Sequence, residues 1–343
     1  IKDRSRAQEK VVEVSLELDQ PLRAHSLIER IDNWRRGSGY CDLAFYCARH
    51  GCTSEVQQYL NLAVQISESA EDWRRDQIRV KIANTYVWLG QTIQADQIET
   101  GVGDSESGKV AGVKAMIAGE DHFDEQMNAL DALIAPGNFD IVENALKAYT
   151  NLFNRFYDDA WRRSLAEEKM KTSWGKLPIF KRIELLTEMA GFALDHVDQA
   201  KALELVNEAQ IFMDGAQWRP EHRIPLISEL VKLRFRAGDM QKSRTDADAL
   251  LAFFDSQRDK IVNIYRAGAL RPLAEAYQSM GDTAAALAVY KRAVEEGVEN
   301  PNSRPRAEDL SATCLSMALH GIEPDSELWA RIGQINKGLG DPW

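Results

Sequence analysis

The chain has 343 residues, of which 44% are apolar and 28% are charged. This balance is typical of a folded globular protein and excludes a disordered one. The 42 Lys and Arg residues are outnumbered by 53 Asp and Glu residues, and the resulting net charge of −11 argues against a dedicated binder of nucleic acid or anionic membranes. No apolar run approaches the roughly 18 residues of a membrane span, so we expect neither a nucleic-acid partner nor a membrane span.

The first residues, IKDRSRAQEK, do not resemble a signal peptide. Because the chain begins with Ile, export after removal of a leader stays open, with the cytoplasm slightly favoured. The four cysteines are too few for a disulfide scaffold and do not fix the redox compartment. The oligomeric state is also left open by the sequence.

Helical periodicity begins in the first segment and continues to the end of the chain. Val11, Val14 and Leu18 are spaced three and four residues apart, which places them on one face of a helix. Sustained alternation of apolar and polar residues, the mark of a half-buried strand, is missing from the sequence. The sequence therefore predicts an all-α fold.

A template for two helices joined by a turn recurs along the chain. It is defined by a turn glycine and a small residue five positions after it. Good copies have their turns at Gly51, Gly90 and Gly281. A partial copy has its turn at Gly238, and a copy around Ala202 lacks the glycine. Weaker copies surround Ala24, Gly119, Ala160 and Gly321.

The clearest copy covers residues 270–297, LRPLAEAYQSMGDTAAALAVYKRAVEEG. Gly281 permits the backbone conformation that ends one helix, and Asp282 can cap the next. Tyr277 and Tyr290 would fill space between neighbouring hairpins, with small alanines where the helices cross. This stretch closely resembles a tetratricopeptide repeat (TPR).

The resemblance implies that helical hairpins stack side by side, because no hairpin can bury its apolar face alone. We expect an α-α superhelix of about nine TPR-like hairpins of roughly 30–43 residues each, forming one domain over residues 1–343. The segments 101–109 and 171–178 are the expected irregular joints. Pro225 and Pro272 would lie near helix starts or kink their helices.

Residues 103–110, GDSESGKV, are one residue short of a phosphate-binding P-loop, because Val110 replaces the Ser or Thr that would hold Mg²⁺. No predicted strand precedes the segment, and Asp104 and Glu106 would repel a phosphate. A surface loop is therefore favoured over a nucleotide site.

Cys41, Cys47, His50 and Cys52 bring four potential zinc ligands together in a short segment. Cys41 and Cys47 would point to different faces of one predicted helix. Plain packing of these side chains is favoured over a metal site or a disulfide such as Cys47–Cys52. We predict no metal and no cofactor.

A glycan-active hydrolase of the (α/α)₆ toroid class is the enzyme alternative. Residues 34–40, WRRGSGY, faintly resemble the Trp-, Arg- and Gly-rich motif of some of these hydrolases. The segment falls at a predicted junction of two hairpins, where Gly37 and Gly39 are interpreted as helix-stop signals. Nine hairpins also exceed the six of a toroid. The remaining histidines and carboxylate pairs match no catalytic motif, so we predict no catalytic residue and no enzyme.

A basic segment runs through residues 162–182, with Trp161 and Trp174 interleaved. Its cations are Arg162, Arg163, Lys169, Lys171, Lys176, Lys181 and Arg182. The segment could dock an acidic peptide or a phosphate backbone, or it could be a solubilising face whose long stems cover apolar surface. Both interpretations stay open.

The TPR resemblance implies that the first helix of each hairpin lines a concave surface that binds extended peptides or partner helices. Carried over by offset from each turn glycine, the predicted contact residues are Phe45, Arg49, Asn84, Trp88, Lys232, Phe235, Arg236, Arg271, Glu275 and Gln278. Asn84 matches the Asn that often binds the peptide backbone in this family. Exposed Trp88 and Phe235 would be the anchors, unless a shift of register buries them.

The sequence thus predicts a non-enzymatic scaffold that binds a protein or peptide partner through the concave face of a TPR-like superhelix. A sensor that changes its pitch on binding a small ligand or peptide shares the fold and stays open as a second alternative.

Overall fold

The computed structural model describes residues 2–103, 106, 108–340 and 342. Within this part of the chain all regular elements are helical, as the sequence predicts. None of the described helices is both long and apolar enough to cross a bilayer. The chain divides into two compact units, Ile1–Pro178 and Ile179–Trp343, and each is described by itself.

The first unit contains ten described α-helices. They are α1 (Lys2–Glu17), α2 (Pro21–Ile28), α3 (Arg35–Arg49), α4 (Thr53–Ser69), α5 (Asp72–Trp88), α6 (Thr92–Glu99), α7 (Lys109–Ile117), α8 (Phe123–Ile134), α9 (Phe139–Arg155) and α10 (Ala160–Ser173).

The second unit contains eight described α-helices. They are α11 (Ile179–Asp195), α12 (Gln199–Asp214), α13 (Pro220–Arg236), α14 (Met240–Gln257), α15 (Asn263–Ser279), α16 (Thr283–Val298), α17 (Ser303–Leu319) and α18 (Ser326–Gly338).

Consecutive helices form hairpins, and the first helix of each hairpin also contacts the first helix of the next hairpin in the same unit. In the first unit the first helices are α1, α3, α5, α7 and α9; in the second they are α11, α13, α15 and α17. Eight consecutive pairs of the described helices pack as hairpins, and α17 and α18 follow as a last pair in which α18 packs on α16. The predicted helical-repeat architecture is therefore confirmed within each unit. A single uninterrupted domain over residues 1–343 stays a prediction.

The turn glycines have the conformation that the repeat template requires. Gly51, Gly90, Gly238 and Gly281 have φ between +73° and +97°, a region that side chains with a Cβ rarely adopt. After the last of these turns, the carboxylate of Asp282 accepts a hydrogen bond from the Ala285 amide at 3.0 Å and caps α16.

The first turn of the second unit departs from this rule. Val197 occupies the position that a glycine holds in the following hairpins, with φ +61° and 80% of its surface exposed. A β-branched residue is strained in this region because its Cβ crowds the backbone. The turn nevertheless closes, since Asp198 donates its amide to the carbonyl of Ala193 at 2.8 Å.

Gly37 and Gly39 do not end a helix, which corrects the interpretation of segment 34–40. Both are buried inside α3. A Cβ on Gly37 would lie 2.9 Å from Ile78, and one on Gly39 would lie 2.8 Å from Ile28. These glycines therefore allow neighbouring helices to approach α3 closely.

Pro225 and Pro272 both lie inside helices, Pro225 in the second turn of α13 and Pro272 in the middle of α15. The expected joint at 171–178 is shorter than predicted, because α10 extends to Ser173 and a 3₁₀ turn, Trp174–Lys176, follows. The expected joint at 101–109 separates α6 from α7 and lies partly outside the described residues.

Candidate functional site

The predicted contact residues all lie on first helices: α3 and α5 in the first unit, and α13 and α15 in the second. Neighbouring first helices touch within each unit, so these residues meet one another across helix–helix contacts. The contacts differ between the two units.

In the first unit, three of the predicted residues form one cluster. The rings of Phe45 and Trp88 meet edge to face with centroids 5.7 Å apart, and the Arg49 guanidinium lies 5.7 Å from the Trp88 centroid. Phe45 and Trp88 are half-buried against the core of Val80, Val87 and neighbouring residues, whereas Arg49 is exposed. The cluster joins α3 to α5, and both rings stay partly exposed.

Asn84 lies one turn before Trp88 on α5. Its Oδ1 atom is buried and has no hydrogen-bond partner among the described residues. A buried amide oxygen without a partner is destabilising, so this atom can accept an additional donor at a gain in free energy.

In the second unit, the predicted cations are bonded to carboxylates of neighbouring first helices. Arg236 on α13 lies 2.9 Å from Asp195 on α11. Lys232 lies 2.6 Å from Glu229 and 3.4 Å from Glu275 on α15. Burial opposes the charge on Lys232, but the two carboxylates outweigh it and raise the pKa of the ammonium group.

The remaining polar residues of this set continue the same pattern from α15 to α17. Glu275 accepts a hydrogen bond from the Ser316 hydroxyl at 2.6 Å, and Arg271 lies 3.2 Å from Asp309. Gln278 donates to the carbonyl of His320 at 3.2 Å. These side chains therefore connect adjacent first helices.

The two expected aromatic anchors are less exposed than the sequence predicted. Trp88 and Phe235 are both half-buried. They are neither free anchors nor core residues.

Sequence reasoning missed an apolar cleft of about 390 Å³ in the second unit. It is lined by Phe180, Glu184, Trp218, Glu221, His222, Pro225 and Leu226. Phe180 is 39% exposed, and the Trp218 indole is fixed by its hydrogen bond to the carbonyl of Met213 at 2.9 Å. The cleft lies between the first turns of α11 and α13, at the end of these helices farthest from the template's turn. The sequence signal that could have indicated this cleft is the extra length of these first helices.

The cleft lies on the same helix faces as the predicted contact residues. On α11, Glu184 precedes Asp195 by three turns, and on α13, Pro225 precedes Lys232 by two. Because α11 and α13 are in contact, the cleft and the Asp195–Arg236 pair belong to one strip along the first helices. We call this surface the first-helix strip.

The cysteine and histidine segment shows no arrangement for metal binding. Cys41 and Cys47 are buried and Cys52 is exposed, all as free thiols. The Cys41 thiol lies 3.7 Å from the carbonyl oxygen of Ile78. Among the described residues, no group of three or more His, Cys, Asp or Glu side chains is placed to hold a metal ion.

The basic segment is largely engaged within the protein. Arg162 pairs with Asp159, Lys169 with Asp131 at 2.7 Å, and the Lys176 ammonium donates to the carbonyl of Ile134 at 3.0 Å. Such contacts favour a structural, solubilising role over docking of an acidic peptide.

The P-loop-like segment has its own internal partner. Lys109 lies 2.5 Å from Glu106, so the cation that would reach a phosphate is paired with a carboxylate. Asp104, which was expected to repel a phosphate, lies outside the described residues, as do Ser105 and Ser107.

No family model matches the chain, and no curated protein matches it. One similar solved structure is described as a circular tandem repeat protein with novel repeat topology and enhanced subunit contact surfaces. It is 14% identical, the match covers 97% of this chain and 87% of that chain, and the TM-score is 0.28. A likeness at this level supports no inference about function.

Proposed function

We propose that the chain is a non-enzymatic, TPR-like repeat protein that binds a peptide segment of a partner protein along the first-helix strip. The TPR assignment is supported by the left-handed turn glycines, by the capping Asp282 and by the buried Tyr277 and Tyr290 in the clearest repeat. The proposal assigns no catalytic residue.

The observation that carries the proposal is the apolar cleft at the start of α11 and α13. Phe180, Trp218 and Leu226 supply its apolar walls, and Glu184, Glu221 and His222 supply polar atoms around them. A volume of about 390 Å³ accommodates one large apolar side chain of a partner. Because Trp218 is already fixed, little side-chain entropy is lost on binding.

The polar residues of the strip have a different role in this proposal. Lys232, Arg236 and Arg271 are paired with carboxylates of neighbouring helices, so a ligand would have to displace those partners. They orient the first helices, while the cleft provides the affinity.

In the first unit, the Phe45–Trp88 cluster and Asn84 form a second contact region. The partly exposed Trp88 ring and the Arg49 guanidinium suit an apolar or aromatic side chain. The unpartnered Oδ1 of Asn84 suits a backbone N–H of an extended peptide, in agreement with the role that the TPR resemblance implies for this residue.

The test is selection of a phage-displayed library of random peptides against the intact chain. Enriched peptides should share a large apolar residue, and their dissociation constants can be measured by fluorescence polarisation. Phe180→Ala combined with Leu226→Ser should weaken binding by at least about tenfold, as expected for a central apolar contact.

The matched control is Ile211→Ala, because Ile211 is 71% exposed on α12 and does not line the cleft. This variant should bind the selected peptides as the unmodified chain does. Peptides that bind the cleft variant and the unmodified chain equally well would refute the assignment of the cleft. Failure to enrich any peptide would refute peptide binding itself.

A further inference from the structure

The second unit buries an arginine at a position where the following repeat places a tyrosine. Arg234 lies four residues before the turn glycine Gly238, and Tyr277 lies four residues before Gly281. Tyr277 is 2% exposed and donates its hydroxyl to Asp248 on the preceding second helix at 2.8 Å. Arg234 is 1% exposed, so a charged group occupies the equivalent space one hairpin earlier.

The buried guanidinium is held by residues of two second helices. Arg234 lies 2.8 Å from Asp246 on α14, and it donates to the Oε1 atom of Gln210 on α12 at 3.5 Å. Both partners line a cleft of about 380 Å³ between α12, α13 and α14. The pair of Arg234 and Asp246 thus forms the charged floor beneath this cleft.

The walls combine an apolar side with a charged rim. Ile227, Ala249, Leu250 and Phe253 supply the apolar side. Gln210, Asp214, Arg223, Lys242 and Asp246 supply the polar groups.

The charges of the cleft do not cancel. Asp246 lies 3.4 Å from Lys242 as well as 2.8 Å from Arg234, so this one carboxylate serves two cations. Asp214 accepts a hydrogen bond from Gln210 at 2.9 Å. Arg223 pairs with no carboxylate among the described residues, and its guanidinium lies 5.6 Å from the centroid of the Phe253 ring. Three cations therefore surround two carboxylates.

We propose that this second-helix cleft binds a small organic monocarboxylate with an apolar body. The carboxylate would accept two parallel hydrogen bonds from Arg223, whose planar donors match its geometry. The apolar body would lie against Ile227, Leu250 and Phe253. The ligand supplies the single negative charge that the cleft lacks, and the volume suits a molecule of about a dozen non-hydrogen atoms.

The inference does not rest on the proposed peptide-binding function. The two clefts share no lining residue, since the peptide cleft uses Pro225 and Leu226 of α13 while the carboxylate cleft uses Arg223 and Ile227. Each can therefore fail without the other.

The experiment uses 4-phenylbutyrate as the probe and its uncharged amide as the matched compound, each titrated into the intact chain by isothermal calorimetry. The acid should bind with a dissociation constant of about 0.1–1 mM, in the range expected for a ligand of this size. The amide should bind at least about tenfold more weakly, because it cannot accept the charge-assisted pair of hydrogen bonds.

Two variants locate the site. Arg223→Gln should weaken binding of the acid by at least about tenfold, and Arg219→Gln, which changes an exposed arginine one turn earlier outside the cleft, should leave it unchanged. Arg234→Tyr, which introduces the side chain found at the equivalent Tyr277, removes one of the three cations and should also weaken binding of the acid by at least about tenfold. Circular dichroism melting of each variant shows whether it is folded.

Equal binding of the acid and the amide, or unchanged binding in the folded Arg223→Gln variant, would overturn the proposal. The proposal would also be overturned if about 10 mM acid, ten times the upper limit of the expected dissociation constant, showed no measurable binding to the unmodified chain.

Discussion

Equivalent positions of the two units carry different chemistry. Six residues before the turn glycine, the first unit has Phe45 and Asn84, whereas the second has Lys232 and Glu275. Phe45 packs against Trp88 and stays partly exposed, while Lys232 and Glu275 pair with each other across neighbouring helices. The offset from the turn determines which face of the helix a residue occupies. It does not determine whether that residue is available to a partner.

The difference follows from the reach of the side chains. Adjacent packed helices lie about 8–10 Å apart, a distance that two long charged side chains span together. In the second unit these side chains bond to one another, and the accessible apolar surface is found at Phe180 and Leu226 instead. In the first unit, aromatic contacts fill the same space, and the oxygen of Asn84 stays without a partner.

The largest expected effect concerns the charged contacts of the second unit. Asp246→Ala should lower the free energy of unfolding by about 3 kcal/mol, because it leaves the fully buried Arg234 without its carboxylate. Asp195→Ala, which breaks the exposed pair with Arg236, should lower it by less than about 1 kcal/mol. Urea unfolding followed by tryptophan fluorescence measures both, and equal losses would show that burial does not distinguish these pairs.

The next effect concerns the turn at Val197, where the left-handed residue is not a glycine. Val197→Gly should raise the free energy of unfolding by about 1 kcal/mol, because relief of the left-handed strain exceeds the extra entropy of glycine in the unfolded chain. Gly238→Val is the reverse control at the next turn, where an added Cβ would meet no atom within 4 Å. It should be destabilising through backbone strain alone, and a loss of stability in Val197→Gly would contradict this account.

A double-mutant cycle compares the aromatic and charged contacts directly. Phe45→Leu and Trp88→Leu should show a coupling energy of about 1 kcal/mol that added NaCl leaves unchanged. The corresponding cycle for Arg236 and Asp195 should give at most about 0.5 kcal/mol, falling towards zero near 1 M NaCl. A salt-sensitive coupling in the first unit would remove the distinction between the two regions.

The smallest expected effect is that the pKa values of two aspartates are shifted in opposite directions. Partial burial of Asp131 in the first unit is outweighed by hydrogen bonds from Lys169 and Tyr149, so its pKa lies below the usual 3.8. In the second unit, burial raises the pKa of Asp309 more than Arg271 lowers it. Carboxyl ¹³C NMR titration measures both values, and shifts in the same direction would contradict the assignment.

The consequences for stability also have opposite signs. Asp131 has a lowered pKa, so its contribution is present above the unfolded value of 3.8 and is lost as pH falls through the folded value. Asp309 binds its proton more tightly in the folded state, so its ionised form is destabilising. The free energy of unfolding therefore rises as pH falls through the raised pKa of Asp309.

Periodicity and turn chemistry were sufficient to predict the repeats. The apolar spacing, the turn glycines such as Gly281 and the capping Asp282 are local signals, and each acts within a few residues of its own position. Gly37 and Gly39 were misinterpreted because the same residue type also serves close helix packing, which depends on Ile28 and Ile78 of other helices.

The candidate sites were less accessible to sequence reasoning. One of the two partners of Lys232, Glu275, lies on another hairpin, and this pairing depends on how the helices are staggered. The role of Trp218 depends on its bond to the carbonyl of Met213, and that of Arg234 on two second helices. Comparing Arg234 with Tyr277 in the aligned repeats would have been the available signal for the second-helix cleft.

Two native cysteines of the first unit, Cys41 and Cys52, can report the separation of α3 from α5. The Cys52 thiol is exposed, whereas Cys41 is covered by α5, and burial raises the pKa of the Cys41 thiol far above its ordinary value. Alkylation of Cys52 by a maleimide can therefore proceed on the folded chain, but alkylation of Cys41 requires α3 and α5 to separate. The rate of Cys41 labelling would therefore measure how often α3 and α5 separate, without any engineered reporter.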